Sequence, residues 1–251
     1  VQYTLKKSLG QHFLKDENIC RKIVAAIEEE HPKQLLEVGP GAGAITKYLM
    51  QLPGIDFRAI ELDEEKITYL VHTYPALEGH LIHQSFLDAA VPFENSFMLV
   101  GNFPYNISSQ ILFKVLEWKS QIPVVVGMFQ KEVAQRVAAR EGSKTYGILS
   151  VLVQAYYDVS YLFDVNEQCF NPPPKVKSGV IKLRIRSGVP SMKSEALFFQ
   201  LVKTAFNQRR KMLRNGVRSL FDEETLRMEI FSKRAEQLTV QQFAELTFLM
   251  K

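Results

Sequence analysis

Three glycines stand directly behind a short apolar run, and no other feature limits the fold of this chain so strongly. Residues 34–38 (QLLEV) read as a buried strand, Gly39-Pro40-Gly41-Ala42-Gly43 follows, and a helical pattern occupies about 44–51. A strand that passes through a glycine turn into a helix opens a βαβ unit, and its glycines let the backbone run close beneath a ligand. The spacing is GxGxG. A P-loop would need a following Gly-Lys-Ser/Thr, which is absent, and the lack of GxGxxG disfavours a dinucleotide site built around a pyrophosphate. Taken alone, such a turn can also serve without any ligand.

The flanking sequence repeats the pattern. Asp16 is placed to cap a helix through about Glu30, with Ile19, Ile23, Val24 and Ile27 on one face. Strand-like runs at 56–62, 80–84, 97–102 and 123–130 alternate with helical patterns at 63–72, 108–119 and 131–140. This alternation predicts an α/β fold with a mostly parallel sheet. After Gly147 the texture changes: 155–165 and 177–186 show the period of two expected of antiparallel edge strands. From about Ser191 only helical patterns remain, at 195–206, 209–221 and 239–250. The turn signal at Gly188–Pro190 predicts two domains, 1–188 and a small helical 189–251.

Glu61 ends the second strand of the unit, about 20 residues beyond the glycine turn, where an acidic residue can accept from both hydroxyls of a ribose. Turn and carboxylate together favour a ribose-bearing ligand without a pyrophosphate, and S-adenosylmethionine is the common cofactor of that description. The fourth strand ends in Gly101-Asn102-Phe103-Pro104-Tyr105-Asn106. Ligands of open α/β sheets bind outside the carboxyl ends of the strands, which brings Asn102 beside the glycine turn. An Asn before an aromatic residue and Pro also makes ordinary turns. The whole unit is more specific. Asn102 can accept from a purine amine, the Pro104 carbonyl is expected to accept from the same amine, and Tyr105 offers a ring to stack on the base. An adenine amine is a poor nucleophile because its lone pair is delocalised. Two acceptors on its hydrogens favour the pyramidal form that can attack a methyl sulfonium, and no general base is required.

These motifs resemble the KsgA family of ribosomal RNA adenine dimethyltransferases, with the Erm resistance methyltransferases as close relatives. The resemblance spans nearly the whole chain. It includes KSLGQHFL ending at Leu14, EVGPGAG at 37–43, Glu61, NFPY at 102–105, QKEVAQRVAA at 130–139, FNPPPKV at 170–176 and AFNQRRKMLRN at 205–215. It implies a Rossmann-like class I S-adenosylmethionine-dependent methyltransferase fold with a small helical C-terminal domain that binds RNA. It implies dimethylation of two adjacent adenosines in the 3′-terminal hairpin of 16S rRNA, within an immature 30S subunit, by a cytoplasmic monomer without a metal or a membrane. By the same resemblance, Gln11, His12 and Leu14 border the cofactor, Gly39 and Gly41 lie under its methionine part, and Glu61 holds the ribose. Leu62, Ser85, Phe86 and Asn102 complete that pocket. Asn102, Phe103, Pro104 and Tyr105 form the target-amine site, and Phe170 packs against the target base.

Two positions depart from the family pattern. An Asp that binds the adenine of the cofactor usually ends the third strand, where this chain has Ser85, and Lys177 stands where Asp follows the proline run. Asp88 is not expected to substitute, because a strand ending near Gln84 aims Ser85 at the cofactor and carries Asp88 past it. Arg209, Arg210, Lys211 and Arg214 form a basic run whose ordinary reading is a solvated helix. Arg136, Arg140, Lys144, Lys6 and Lys7 add charge, and with an RNA target these side chains are expected to contact phosphates.

Composition excludes several classes. The 31 Lys and Arg against 27 Asp and Glu give a net charge of +4, too small to identify a polyanionic partner without a local cluster. The two cysteines, Cys20 and Cys169, form no CxxC and no His cluster, so zinc and disulfide scaffolds are disfavoured and a reducing compartment fits. No apolar run reaches membrane-spanning length. Three alternatives remain at this level: an Erm-type enzyme acting on 23S rRNA, a non-catalytic RNA-binding assembly or transcription factor, and an NAD-dependent oxidoreductase. The helical tail and the PPPKV run disfavour the first, the intact NFPY and GxGxG the second, and the glycine spacing the third.

Overall fold

The computed structural model describes residues 12–251. Its strands are β1 (Phe13–Leu14), β2 (Gln34–Val38), β3 (Asp56–Glu61), β4 (Leu81–His83), β5 (Met98–Asn102), β6 (Val124–Gln130), β7 (Tyr157–Val165), β8 (Phe170–Asn171) and β9 (Ser178–Ile185). The helices are α1 (Glu17–Glu28), α2 (Thr46–Leu49), α3 (Glu64–Thr73), α4 (Ser108–Glu117), α5 (Lys131–Ala138), α6 (Ile148–Gln154), α7 (Glu195–Asn207), α8 (Leu213–Gly216) and α9 (Val240–Leu246).

Seven strands form one sheet in the order β4-β3-β2-β5-β6-β9-β7. The first five run parallel, and β9 pairs antiparallel with β6 along its whole length, from Val124↔Arg184 to Gln130↔Ser178. The chain steps outward from β2 to β3 and β4, then returns to the other side of β2 for β5 and β6. That reversal leaves a crevice at the carboxyl ends of β2 and β5, where open α/β sheets bind ligands. The central strands are buried on both faces, which explains why β6 reads as an unbroken apolar run. α1 begins as its sequence predicts, with the Asp16 carboxylate accepting from the Asn18 and Ile19 amides, and it buries Cys20, Ile23, Val24, Ala26 and Ile27.

The contacts divide the chain into two compact units. One holds the described residues up to Ala134 together with Val159–Ile185, and the other holds Gln135–Asp158 with Arg186–Lys251. The third crossing, at Ile185–Arg186, lies within a few residues of the predicted division at 188, and 135–158 groups with the C-terminal residues. The physical reason lies in α6, which is buried from Leu149 to Val153 and packs with α7 and α9. A further tie joins the Gly142 amide to the Glu236 carbonyl at 2.7 Å. The run at 148–154 gave no helical signal because a short, mostly apolar segment has little periodicity to read.

The predicted helix over 209–221 also differs. Only the single turn α8 is helical there. Met212 is extended and forms a bridge with Arg234, and the Leu213 amide donates to the Lys233 carbonyl at 2.7 Å. Pairing with a segment 20 residues away captures the backbone groups that a continuous helix would use.

Candidate active site

The carboxyl ends of β2, β3 and β5 open into a cavity of about 230 Å³ with mostly apolar walls. His12 and Leu14 line it from one side, and Gly39 and Gly41 from the turn after β2. Glu61 and Leu62 enter from β3, Ser85 and Phe86 from beyond β4, and Asn102 to Tyr105 from the end of β5. Gln11, Lys6 and Lys7, named from the sequence, lie outside the described residues.

Gly39 and Gly41 are both left-handed, with φ of +67° and +56°, which side chains rarely adopt. They differ in what a side chain would meet. A Cβ on Gly41 would lie 2.7 Å from the Phe13 ring, whereas the nearest atom to one on Gly39 is Pro104 Cδ at 3.9 Å. Gly41 is therefore bare to receive Phe13, and Gly39 keeps space open. The helix expected over 44–51 shrinks to the one turn of α2, so the site has no long helix N-terminus to offer.

Two carboxylates face this space. Glu61 is 8% exposed; its Oε1 accepts from the Leu62 and Asp63 amides at 2.9 and 3.0 Å, and its Oε2 from the Gly41 amide at 3.2 Å. The side chain thus clamps the glycine turn to the end of β3. Burial raises its pKa and these backbone bonds oppose the rise. Glu37 is 2% exposed and accepts from the Thr46 hydroxyl at 2.7 Å. Desolvation pushes its pKa up to about 8, against the Thr46 bond and helped by the Glu61 charge. Sequence reasoning did not single out Glu37, although a lone acid inside a buried apolar strand is the signal that marks it.

The NFPY turn is held at each residue. Asn102 Nδ2 donates to the His12 carbonyl at 3.0 Å. The Phe103 ring is buried against Phe129, centroids 5.0 Å apart, in room left by Gly101, where a Cβ would be 2.9 Å from the ring. The Tyr105 hydroxyl pairs with Ser178, and its ring stacks on His12 with centroids 5.4 Å apart. The Pro104 carbonyl accepts from the Ile107 amide at 3.3 Å, and the Ser108 hydroxyl lies 3.3 Å from it and 3.1 Å from the Tyr105 carbonyl. The Phe103 carbonyl has no such donor among the described residues.

Comparison with known proteins decides the family. The model of the ribosomal RNA adenine dimethylase family matches residues 2–250. The chain belongs to that family. It is 52% identical to a ribosomal RNA small subunit methyltransferase A of Flavobacterium johnsoniae, over 96% of this chain and 94% of the relative. Among solved structures it is similar to a dimethyladenosine transferase from Plasmodium falciparum, with a TM-score of 0.77, 25% identity and coverage of 94% and 96% of the two chains. It also shares its fold with the 23S rRNA methyltransferase ErmE, with a TM-score of 0.69, 22% identity and coverage of 94% and 99%. The adenine dimethylase is thus a class I methyltransferase in fold.

The positions where this dimethylase departs from its family pattern, or from expectation, are now visible. Ser85 lines the cavity and Asp88 does not. The Ser85 hydroxyl accepts from the Leu87 amide at 3.3 Å, and the Asp88 carbonyl is engaged by Gln84. Phe170, expected against the target base, is 1% exposed and does not line the cavity. β8 pairs with β1, setting Phe170 opposite Leu14, and both side chains join the core.

The basic residues of the second unit of the adenine dimethylase divide into two groups. Arg209 donates to Glu236 at 2.6 Å and to the Ser143 and Lys144 carbonyls, and Arg214 donates to the Phe231 carbonyl at 3.4 Å. Arg136 is half-buried. Arg140, Lys144, Arg210 and Lys211 are exposed. Among the described residues no group of His, Cys, Asp and Glu is placed to hold a metal, and no helix is long and apolar enough to cross a membrane.

Proposed function

We propose that this enzyme dimethylates the exocyclic amines of two adjacent adenosines in the 3′-terminal hairpin of 16S rRNA, using S-adenosylmethionine, on an immature 30S particle. The observation that carries the reading is one cavity lined both by the Gly39–Gly41 turn with Glu61 and by the NFPY turn. The pocket fits the cofactor: the open side of Gly39 leaves room, Glu61 presents a buried carboxylate oxygen, and Leu62, 53% exposed, offers an apolar wall. When bound, the cofactor supplies an electrophilic methyl on its sulfonium. Glu61 takes the ribose hydroxyls, Oε2 being the less occupied oxygen. Asn102 Oδ1 and the Phe103 carbonyl accept the two amine hydrogens, the Pro104 carbonyl being already engaged by the Ile107 amide. Those acceptors hold the amine pyramidal and its lone pair available, so they act on the transition state more than on binding. Tyr105, fixed at its hydroxyl and its ring, walls the base. Arg140, Lys144, Arg210 and Lys211 contact phosphates and supply salt-dependent affinity.

The test is to incubate the protein with labelled S-adenosylmethionine and immature 30S particles, 50S particles or naked rRNA, and to map the modified base. Label on two adjacent small-subunit adenosines is expected. Label confined to 23S rRNA would move the enzyme to the Erm activity, and no label on any RNA would overturn the reading.

A further inference from the structure

Two residues of the NFPY turn, Asn102 and Tyr105, meet a residue about 90 positions upstream. Asn102 Nδ2 lies 3.0 Å from the His12 carbonyl, the His12 ring stacks on Tyr105 at an interplanar angle of 29°, and His12 Nδ1 lies 3.0 Å from the Pro172 carbonyl. Both hydrogen-bond partners are carbonyl oxygens, which only accept. The Asn102 atom facing His12 must therefore be the amide nitrogen, and His12 Nδ1 must carry a proton. Chemistry alone fixes the flip of one group and the proton position of the other.

An Asn amide is a donor at one end and an acceptor at the other. Reversed, Asn102 would present N–H groups to an amine that also donates, and the two would repel. Spending Nδ2 on the His12 carbonyl leaves Oδ1 as the end available to the cavity. The carbonyl can do this only if residue 12 is held in place. Its ring provides two anchors, one on Pro172 through Nδ1–H and one on Tyr105 through stacking.

We infer that His12 is a positioning residue for methyl transfer, acting through Asn102: its ring, anchored on Pro172 and Tyr105, holds the backbone carbonyl that sets the Asn102 amide. The inference rests on the adenine methyltransferase reading above. Its consequence is a side chain whose loss mimics a weakened Asn102.

The experiment is single-turnover methylation of small-subunit particles by the wild type, His12→Ala, His12→Asn, Asn102→Ala and the double variant His12→Ala/Asn102→Ala, with cofactor affinity measured in parallel. His12→Ala removes both anchors and should slow the step about tenfold or more, the usual scale for lost orientation of a reacting group, with a smaller change in cofactor affinity. His12→Asn keeps an N–H at the δ position and should recover most of that loss. The double variant should be no slower than Asn102→Ala, because the effect of His12 passes through the same amide. A His12→Ala rate within twofold of wild type, or losses that multiply in the double variant, would overturn the inference. If His12→Ala fails to fold, His12→Phe keeps the stack and removes only the Nδ1 donor; it should slow the step severalfold, and a wild-type rate would count against His12. An inactive wild type would instead refute the methyltransferase reading, so the two failures are separable.

Discussion

In the cavity, main chain holds several of the polar side chains that face the ligand space. Glu61 takes three amides, Asn102 is fixed by the His12 carbonyl, and Ser85 by the Leu87 amide. In the basic segment of the second unit, main chain also captures side chains, but there it consumes the groups that gave the segment its signature. Arg209 and Arg214 spend guanidinium donors on carbonyls at 143, 144 and 231, while their neighbours Arg210 and Lys211 remain exposed. The same kind of bond prepares one region for a ligand and withdraws half of the other from one. Backbone contacts aim a carboxylate or an amide that keeps an unused acceptor. An arginine tied into a loop no longer offers its charge freely to a phosphate.

The largest effect should come from the cavity. Asn102→Ala is expected to lower the methylation rate about a hundredfold or more while cofactor affinity stays nearly unchanged, because its oxygen matters as the amine pyramidalises. A wild-type rate in single-turnover assays would break the claim that this region is organised for chemistry. Glu61→Ala should come next, weakening S-adenosylmethionine by about 1.5–3 kcal/mol, the range for lost charged hydrogen bonds. It should also lower the melting temperature, since the carboxylate holds the glycine turn in the free protein. Calorimetry on the folded variant that finds full affinity would remove Glu61 from the cofactor site.

The basic segment makes a sharper contrast within itself. Arg210→Ala with Lys211→Ala should weaken particle binding and reduce the salt slope by about 2, one per phosphate contact, without moving the melting point. Arg209→Ala should lower the melting point, because it unties Glu236 and the 143–144 carbonyls. Salt-dependent binding and melting curves that gave all three residues the same behaviour would erase the division between tied and exposed basic residues.

A smaller effect is expected from Glu37. Its folded pKa, raised to about 8, lies above the ordinary value of 4.5. The native state therefore holds a proton that the unfolded chain has lost. The stability this provides is fully present below pH 4.5 and declines as pH rises towards 8. Glu37→Gln, neutral throughout, should flatten that decline when melting temperatures are compared at pH 5 and pH 8; an unchanged pH profile would place the buried proton elsewhere. Smallest of all, Ser85→Asp should leave cofactor affinity unchanged or improve it by up to roughly tenfold, about 1.4 kcal/mol. A large loss in the titration would mean that the serine itself is required.

By itself the sequence determined the alternation of strands and helices up to residue 138, the crevice that follows from it, and the motifs that enter that crevice. Those signals are local: strand burial, the Asp16 cap, the glycine turn and the strand-ending Glu61 and Asn102 are written in residues next to one another. Tertiary structure alone decided which groups are available. The Pro104 carbonyl meets the Ile107 amide, Phe170 is drawn into the core by pairing with β1, and the 209–221 run is broken by pairing with 233–234. It also assigned α6 to the second unit and set His12 against Asn102 and Pro172, 90 and 160 residues away. Periodicity reports which face of an element is apolar. It carries no information on which distant donor or acceptor will meet a given polar group, and that pairing decides whether the group is left for a ligand.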